Sequence, residues 1–336
     1  MLKTFTKFLS LLSIAGFVLT AAPATAEDEE MLKSFFNPLP SSAPNDTNGS
    51  SDAKVELGKM LYFEPRLSKS GVISCATCHN LSTGGVDNLP TSIGHGWQRG
   101  GRNAPTVLNA AFEIAQFWDG RANDLEEQAR GPILNPIEMA ATEELVIKRL
   151  SSIPQYPEIF AKAFPRDEKP LTYDNVARAI AAFERTLITP SRFDDYLRGT
   201  GSLEPEELKG LGFFVTKGCV ACHGGVGVGG AAFKKFDYGE DDGRFNVTKN
   251  EADKKVFRVA SLRNVALTYP YFHDGKVADL KEAVKTMGLK QLSTNLSDEE
   301  VSAITAFLGT LTGRLSPVTM PALPPSTIET PAPDFN

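Results

Sequence analysis

Apolar residues recur at three- and four-residue intervals over long stretches of this chain. In "TYDNVARAIAAFERTL" Val176, Ile180, Phe183 and Leu187 fall on one stripe, and in "ATEELVIKRLSSI" Val146, Leu150 and Ile153 do the same. That spacing marks one face of a 3.6-residue helix. Thr172 with Asn175, and Thr142 with Glu144 nearby, are helix starts. No clear hairpin or alternating strand series is visible. The chain is predicted to be mostly α-helix, joined by long loops rich in Gly and Pro.

The pattern occurs twice. "LGKMLYF" precedes "SCATCHN", and "LKGLGFFVTKG" precedes "GCVACHGG". Downstream, "NAAFEIAQFWDGRANDLEE" aligns with "NVALTYPYFHDGKVADLKE". The alignment pairs Asn109 with Asn264, Trp118 with His273, Asp119 with Asp274, Gly120 with Gly275 and Leu125 with Leu280. The repeat is too long for a solenoid unit. It predicts two similar domains meeting at "ITPSR" near Pro190, residues 27–189 and 190–314. The tail from about residue 315 is Pro-rich and predicted to be extended.

Residues 1–26 stand outside this pattern. Lys3 and Lys7 precede an apolar run from Phe8 to Thr20, and Ala24-Thr25-Ala26 is a small-residue cleavage site. This reads as a secretory signal peptide, too short to span a bilayer. No Cys follows the cleavage site, so a lipoprotein is not expected, and no later stretch is long and apolar enough to cross a membrane. The expected location is the periplasm. The whole chain has 35 basic and 41 acidic residues, net charge −6, and losing the leader removes two Lys and no acid. That balance argues against nucleic acid and anionic membranes as partners and suits a basic protein partner.

Exported proteins often carry disulfides. Here all four Cys lie in two copies of C-x-x-C-H: Cys75, Cys78 and His79, then Cys219, Cys222 and His223. None is left for a structural disulfide. C-x-x-C-H is the attachment signal of c-type haem. Two thiols bond the haem vinyl groups and the adjacent His ligates iron. A zinc site would need the two pairs to converge from distant parts of the chain, and a redox dithiol would need a βαβ context that is absent. The predicted fold is all-α, two cytochrome c-type haem domains joined by long loops, with two covalently bound haems and His79 and His223 as proximal ligands.

The sixth ligand decides what each haem does. His/Met ligation raises the potential and suits electron transfer, whereas an open or displaceable position suits chemistry. Met287 in "AVKTMGLKQL" precedes "SDEEVSAITAFLGTL", a predicted last helix, and is read as the sixth ligand of the second haem. The first haem has no equally placed Met; Met139 is read as core. His95 follows His79 in a loop with Gly84, Gly85, Gly94, Gly96, Gly100 and Gly101. Glycines give that loop freedom to move, so His95 is read as a weak, displaceable ligand of the first iron.

The chain resembles the bacterial dihaem cytochrome c peroxidases, a family that also includes methylamine-utilisation dihaem oxidases. The resemblance spans essentially all of the chain after the leader. It is carried by "SCATCH", "SIGHGWQRG", "NAPTVLNAAF", "FWDGRANDLEEQA", "GPILNPIEMA", "GCVACHGG", "TYPYFHDG" and "EAVKTMG". It implies a low-potential N-terminal haem that reduces peroxide and a high-potential C-terminal haem that receives electrons. His79 and His95 would be the resting axial pair of the first, and His223 and Met287 would ligate the second. The oxidases carry Tyr in place of the axial Met, so Met287 favours the peroxidases. In many members, reducing the high-potential haem moves the His95 loop off the iron; others rest open.

The resemblance further implies that Trp118 lies between the haems and helps electron transfer. Glu138 would be the distal-pocket acid and Gln128 a second distal residue. Asn103, with backbone carbonyls of Thr268 and Pro270, would hold an interdomain calcium. His273 would hydrogen-bond near the interface. The tail after about Leu315 would return to the N-terminal domain, and the protein would be a homodimer. The implied reaction is reduction of H2O2 to water with electrons from a small cytochrome c or a cupredoxin. The rival readings are a dihaem oxidase that modifies a partner protein and a non-enzymatic dihaem electron carrier.

Overall fold

A computed structural model describes residues 26–44 and 48–336; the leader through Thr25 lies outside the described residues. Two helical cores account for most of the buried apolar surface. In the first, helix Asp52–Tyr62 crosses helix Tyr173–Glu184, with helices Leu125–Leu134, Glu143–Ser151 and Gln155–Ala163 around them. In the second, helix Pro205–Thr216 crosses helix Asp298–Gly309, flanked by Arg192–Leu197 and Leu280–Leu292. The predicted starts hold: Thr172 Oγ1 accepts the Asn175 N–H at 3.2 Å and Thr142 Oγ1 accepts that of Leu145 at 3.1 Å. Ser297 and Glu300 close a capping box on the last long helix, satisfying N–H groups that have no partner within the helix.

Each crossing is made close by a glycine. A Cβ on Gly58 would lie 1.9 Å from the Ala179 carbonyl oxygen, and one on Gly210 would lie 1.9 Å from that of Ala303. The repeat extends to the loops. Asn109 and Asn264 both have φ of 62°, Phe117 and Phe272 have φ of 67° and 68°, and Gly120 and Gly275 have φ of 63° and 59°. Bridges Gln116–Ala122 and Tyr271–Val277 close the same turn in each half. Both Asn side chains donate to Thr189 Oγ1, at 2.7 and 2.8 Å, beside the expected junction.

Two features depart from the sequence reading. Strands Phe233–Lys235 and Val256–Arg258 pair antiparallel. Three residues are too few to show alternation, so the sequence carries no strand signal there. The segment before residue 40, assigned by sequence to the first domain, packs with the second core. Leu32 and Phe36 join that core, Phe36 meets Phe193 edge-on at 5.2 Å, and the Leu39 N–H donates to Asp194 at 2.7 Å. The tail crosses back to the first core, where the family resemblance expected it. Leu315, Val318 and Leu323 pack there. The buried Arg149 guanidinium donates to the carbonyls of Pro331 (3.2 Å) and Ala332 (2.9 Å).

Candidate active site

Two large cavities sit on either side of the junction, and each contains one C-x-x-C-H motif. The first is lined by Cys75, Cys78, His79, Phe117, Arg121, Gln128, Glu138 and Glu184. The second is lined by Cys219, Cys222, His223, Met287 and a wall rich in apolar residues, including Phe214, Ala283, Val284, Ile304 and Leu308.

The motifs do not converge: each lines its own cavity, whereas a zinc site would need both Cys pairs at one point. All four Cys are unpaired. Burial pushes the Cys78 and Cys219 thiols up to about 11, far from the thiolate a redox dithiol needs. Burial also lowers both motif imidazoles, His223 to about 4. Their Nδ1 atoms are buried without a hydrogen-bond partner. Neutral, cavity-facing imidazoles next to paired thiols fit a covalently attached haem in each cavity.

Met287 lies on helix Leu280–Leu292 and lines the same cavity as His223. Glu138 and Gln128 line the first cavity with His79. Burial raises the Glu138 carboxyl, while Arg121 and a 2.6 Å hydrogen bond from Asn135 Nδ2 to Oε1 oppose that rise. Trp118 lines both cavities. Its indole N–H donates to the Asn103 carbonyl at 2.9 Å, and its ring meets His273 edge-on at 6.2 Å. Asn103, Thr268 and Pro270 line the second cavity together. The Asn103 N–H donates to the His273 carbonyl at 2.8 Å, and its side-chain amide donates to the Leu89 carbonyl at 2.9 Å.

His95 stands apart from the other expected ligands. Its ring is buried but does not line the first cavity. Nε2 lies 3.3 Å from the backbone oxygen of Asn336 in the tail. The loop is held there by its backbone: the His95 N–H donates to the Glu138 carbonyl at 2.7 Å, and a Cβ on Gly94 would lie 2.1 Å from the Ile137 oxygen. The loop therefore rests directly on the segment that carries Glu138.

Sequence reading missed four residues at these cavities. Phe117 and Arg121 flank the Trp118 turn, with the Arg121 guanidinium 3.4 Å from the centre of the Phe117 ring. Both were inside the quoted "FWDGR", so the signal was present. Glu113 and Arg258 line both cavities. Glu113 lay inside the quoted repeat but nothing singled it out, and no quoted segment contained Arg258, because their relation exists only across the domain junction.

Comparisons with known proteins agree with this geometry. Residues 52–202 match the family model described as di-haem cytochrome c peroxidase, and residues 208–312 match that for cytochrome c. A cytochrome c551 peroxidase of Pseudomonas aeruginosa is 49% identical over 340 residues, covering 96% of this chain and 98% of the relative. The chain belongs to the dihaem cytochrome c peroxidases. A cytochrome c551 peroxidase of Nitrosomonas europaea is 50% identical to this peroxidase, covering 96% of each. Among solved structures, a MauG-like protein associated with microbial copper homeostasis superposes with a TM-score of 0.75 at 30% identity, covering 82% of this chain and 93% of that one. Family membership implies two c-type haems, one for each cavity.

Proposed function

We propose that this peroxidase reduces H2O2 to two waters in the periplasm, with two protons and two electrons from a small cytochrome c or a cupredoxin. One observation carries the division of labour: Trp118 lines both cavities, whereas Glu138, Gln128 and Arg121 line only the first. The first cavity is then the place of chemistry and the second the place of electron entry. When bound, the haems supply the redox equivalents and, in the first cavity, a coordination position for peroxide.

The chain's own groups do the rest. Cys75 and Cys78, and Cys219 and Cys222, would tether the haems, His79 and His223 would ligate their irons, and Met287 would be a further ligand in the second cavity. Glu138 takes a proton from one peroxide oxygen and returns it to the other, a task suited to a carboxyl whose affinity for protons burial has raised. Gln128 orients the peroxide. His95 would serve as a displaceable ligand of the first iron, which would require its loop to leave the position it holds against Asn336. Asn103 with the Thr268 and Pro270 carbonyls offers neutral oxygen donors, which suits calcium with water completing its shell. The family resemblance supports a homodimer, and the leader supports export.

The test is peroxide turnover by the half-reduced holoprotein, with a reduced small cytochrome c as donor. Turnover is expected. A protein that holds two haems yet turns over no peroxide when half-reduced is an electron carrier, and the proposal is lost.

A further inference from the structure

Two charged side chains in the wall between the cavities have no part in the reaction proposed above. Glu113 comes from the first half and Arg258 from the short ribbon of the second, and both line both cavities. Arg258 Nη1 lies 2.5 Å from Glu113 Oε1, with side chains only 2% and 8% exposed. Arg258 also clasps the segment that carries Trp118. Its backbone N–H donates to the Trp118 carbonyl at 2.8 Å and its Nε to that of Phe117 at 3.3 Å. Burial raises the Glu113 carboxyl; Arg258 and the Ser261 backbone pull it down.

We propose that the Glu113–Arg258 pair tunes the reduction potentials of both haems together. This rests on the reading that each cavity holds a haem. A buried ion pair is weak evidence for stability, because removing two charges from water costs as much as their attraction returns. Its place in the shared wall has a different consequence. Reduction adds one negative charge to a cavity, and a fixed charge in a poorly screened wall acts on it strongly. A cation favours the added electron and an anion opposes it. Bordering both cavities, the two side chains act on both haems, and while paired their effects largely offset each other. Neutralising one partner leaves the other's charge facing both.

The experiment is a spectroelectrochemical titration of the holoprotein at pH 8, with haem content measured on each variant. Glu113→Gln should raise both midpoint potentials, and Arg258→Gln should lower both. Arg258→Lys, which keeps the charge but loses the fork, should stay near wild type. Arg192→Gln removes an exposed pair with Glu207 that borders neither cavity, and should change neither potential. If Arg258→Gln does not fold, the Glu113→Gln and Arg258→Lys shifts decide. The inference is overturned if only one haem responds, if Glu113→Gln and Arg258→Gln shift the potentials in the same direction, or if Arg258→Lys shifts them as Arg258→Gln does. Fewer than two haems in the wild type would instead overturn the cofactor reading, and this inference with it.

Discussion

The two cavities are built on one backbone plan and lined differently. The turn containing Asn109, Phe117 and Gly120 has the same backbone angles as the turn containing Asn264, Phe272 and Gly275. Where the first places Trp118, the second places His273. The first cavity has Arg121, Glu138 and Glu184 in its lining, and the second has Met287 among apolar residues. A repeated scaffold frames both cavities, and a few substitutions on it give one a lining with carboxylates and Arg121 and the other an apolar lining with Met287.

Removing the acid should break that contrast most strongly. Glu138→Ala should leave both haems bound and reduce peroxide turnover by about 10²–10⁴, the usual range for a lost acid–base group; near-normal turnover would assign Glu138 to the loop alone. Met287→His should make the second cavity resemble a low-potential site. Axial ligands tune potential over about 0.8 V, so a fall on the order of hundreds of millivolts is expected in a redox titration, with the first haem little changed.

The shared scaffold offers a gentler test. Gly58→Ala and Gly210→Ala each push a Cβ into a backbone carbonyl of the crossing helix. Each should cost roughly 1–3 kcal/mol in denaturant unfolding, typical of overpacking, and similar costs would show that both crossings are used alike.

The smallest effect concerns Glu184. Burial raises its carboxyl to about 8 from an ordinary 4.5, against the pull of Arg185. The folded protein therefore keeps a proton that the unfolded chain releases. Stability from this group is complete below about pH 4.5 and is lost as pH rises through about 8. Glu184→Gln should flatten the fall in melting temperature across that window; an unchanged slope would mean that another group titrates there.

Much of this was legible because it is local. The helical stripes, the caps at Thr142 and Thr172 and both C-x-x-C-H motifs depend on residues a few positions apart. The two strands were not legible, since three residues carry no period. The placement of Leu32 and Phe36 was not either: two apolar residues four apart say that they will be buried, not against which core.

By itself the sequence determined the number of cofactor sites, the two C-x-x-C-H motifs, the repeat and the helical class, because each follows from spacing along the chain. Only the tertiary structure decided which distant groups share a wall. It brought Met287 to the His223 cavity, set Trp118 against both cavities, turned His95 toward Asn336 and paired Glu113 with Arg258. Those relations depend on how two separately folded cores meet, and no local pattern encodes that.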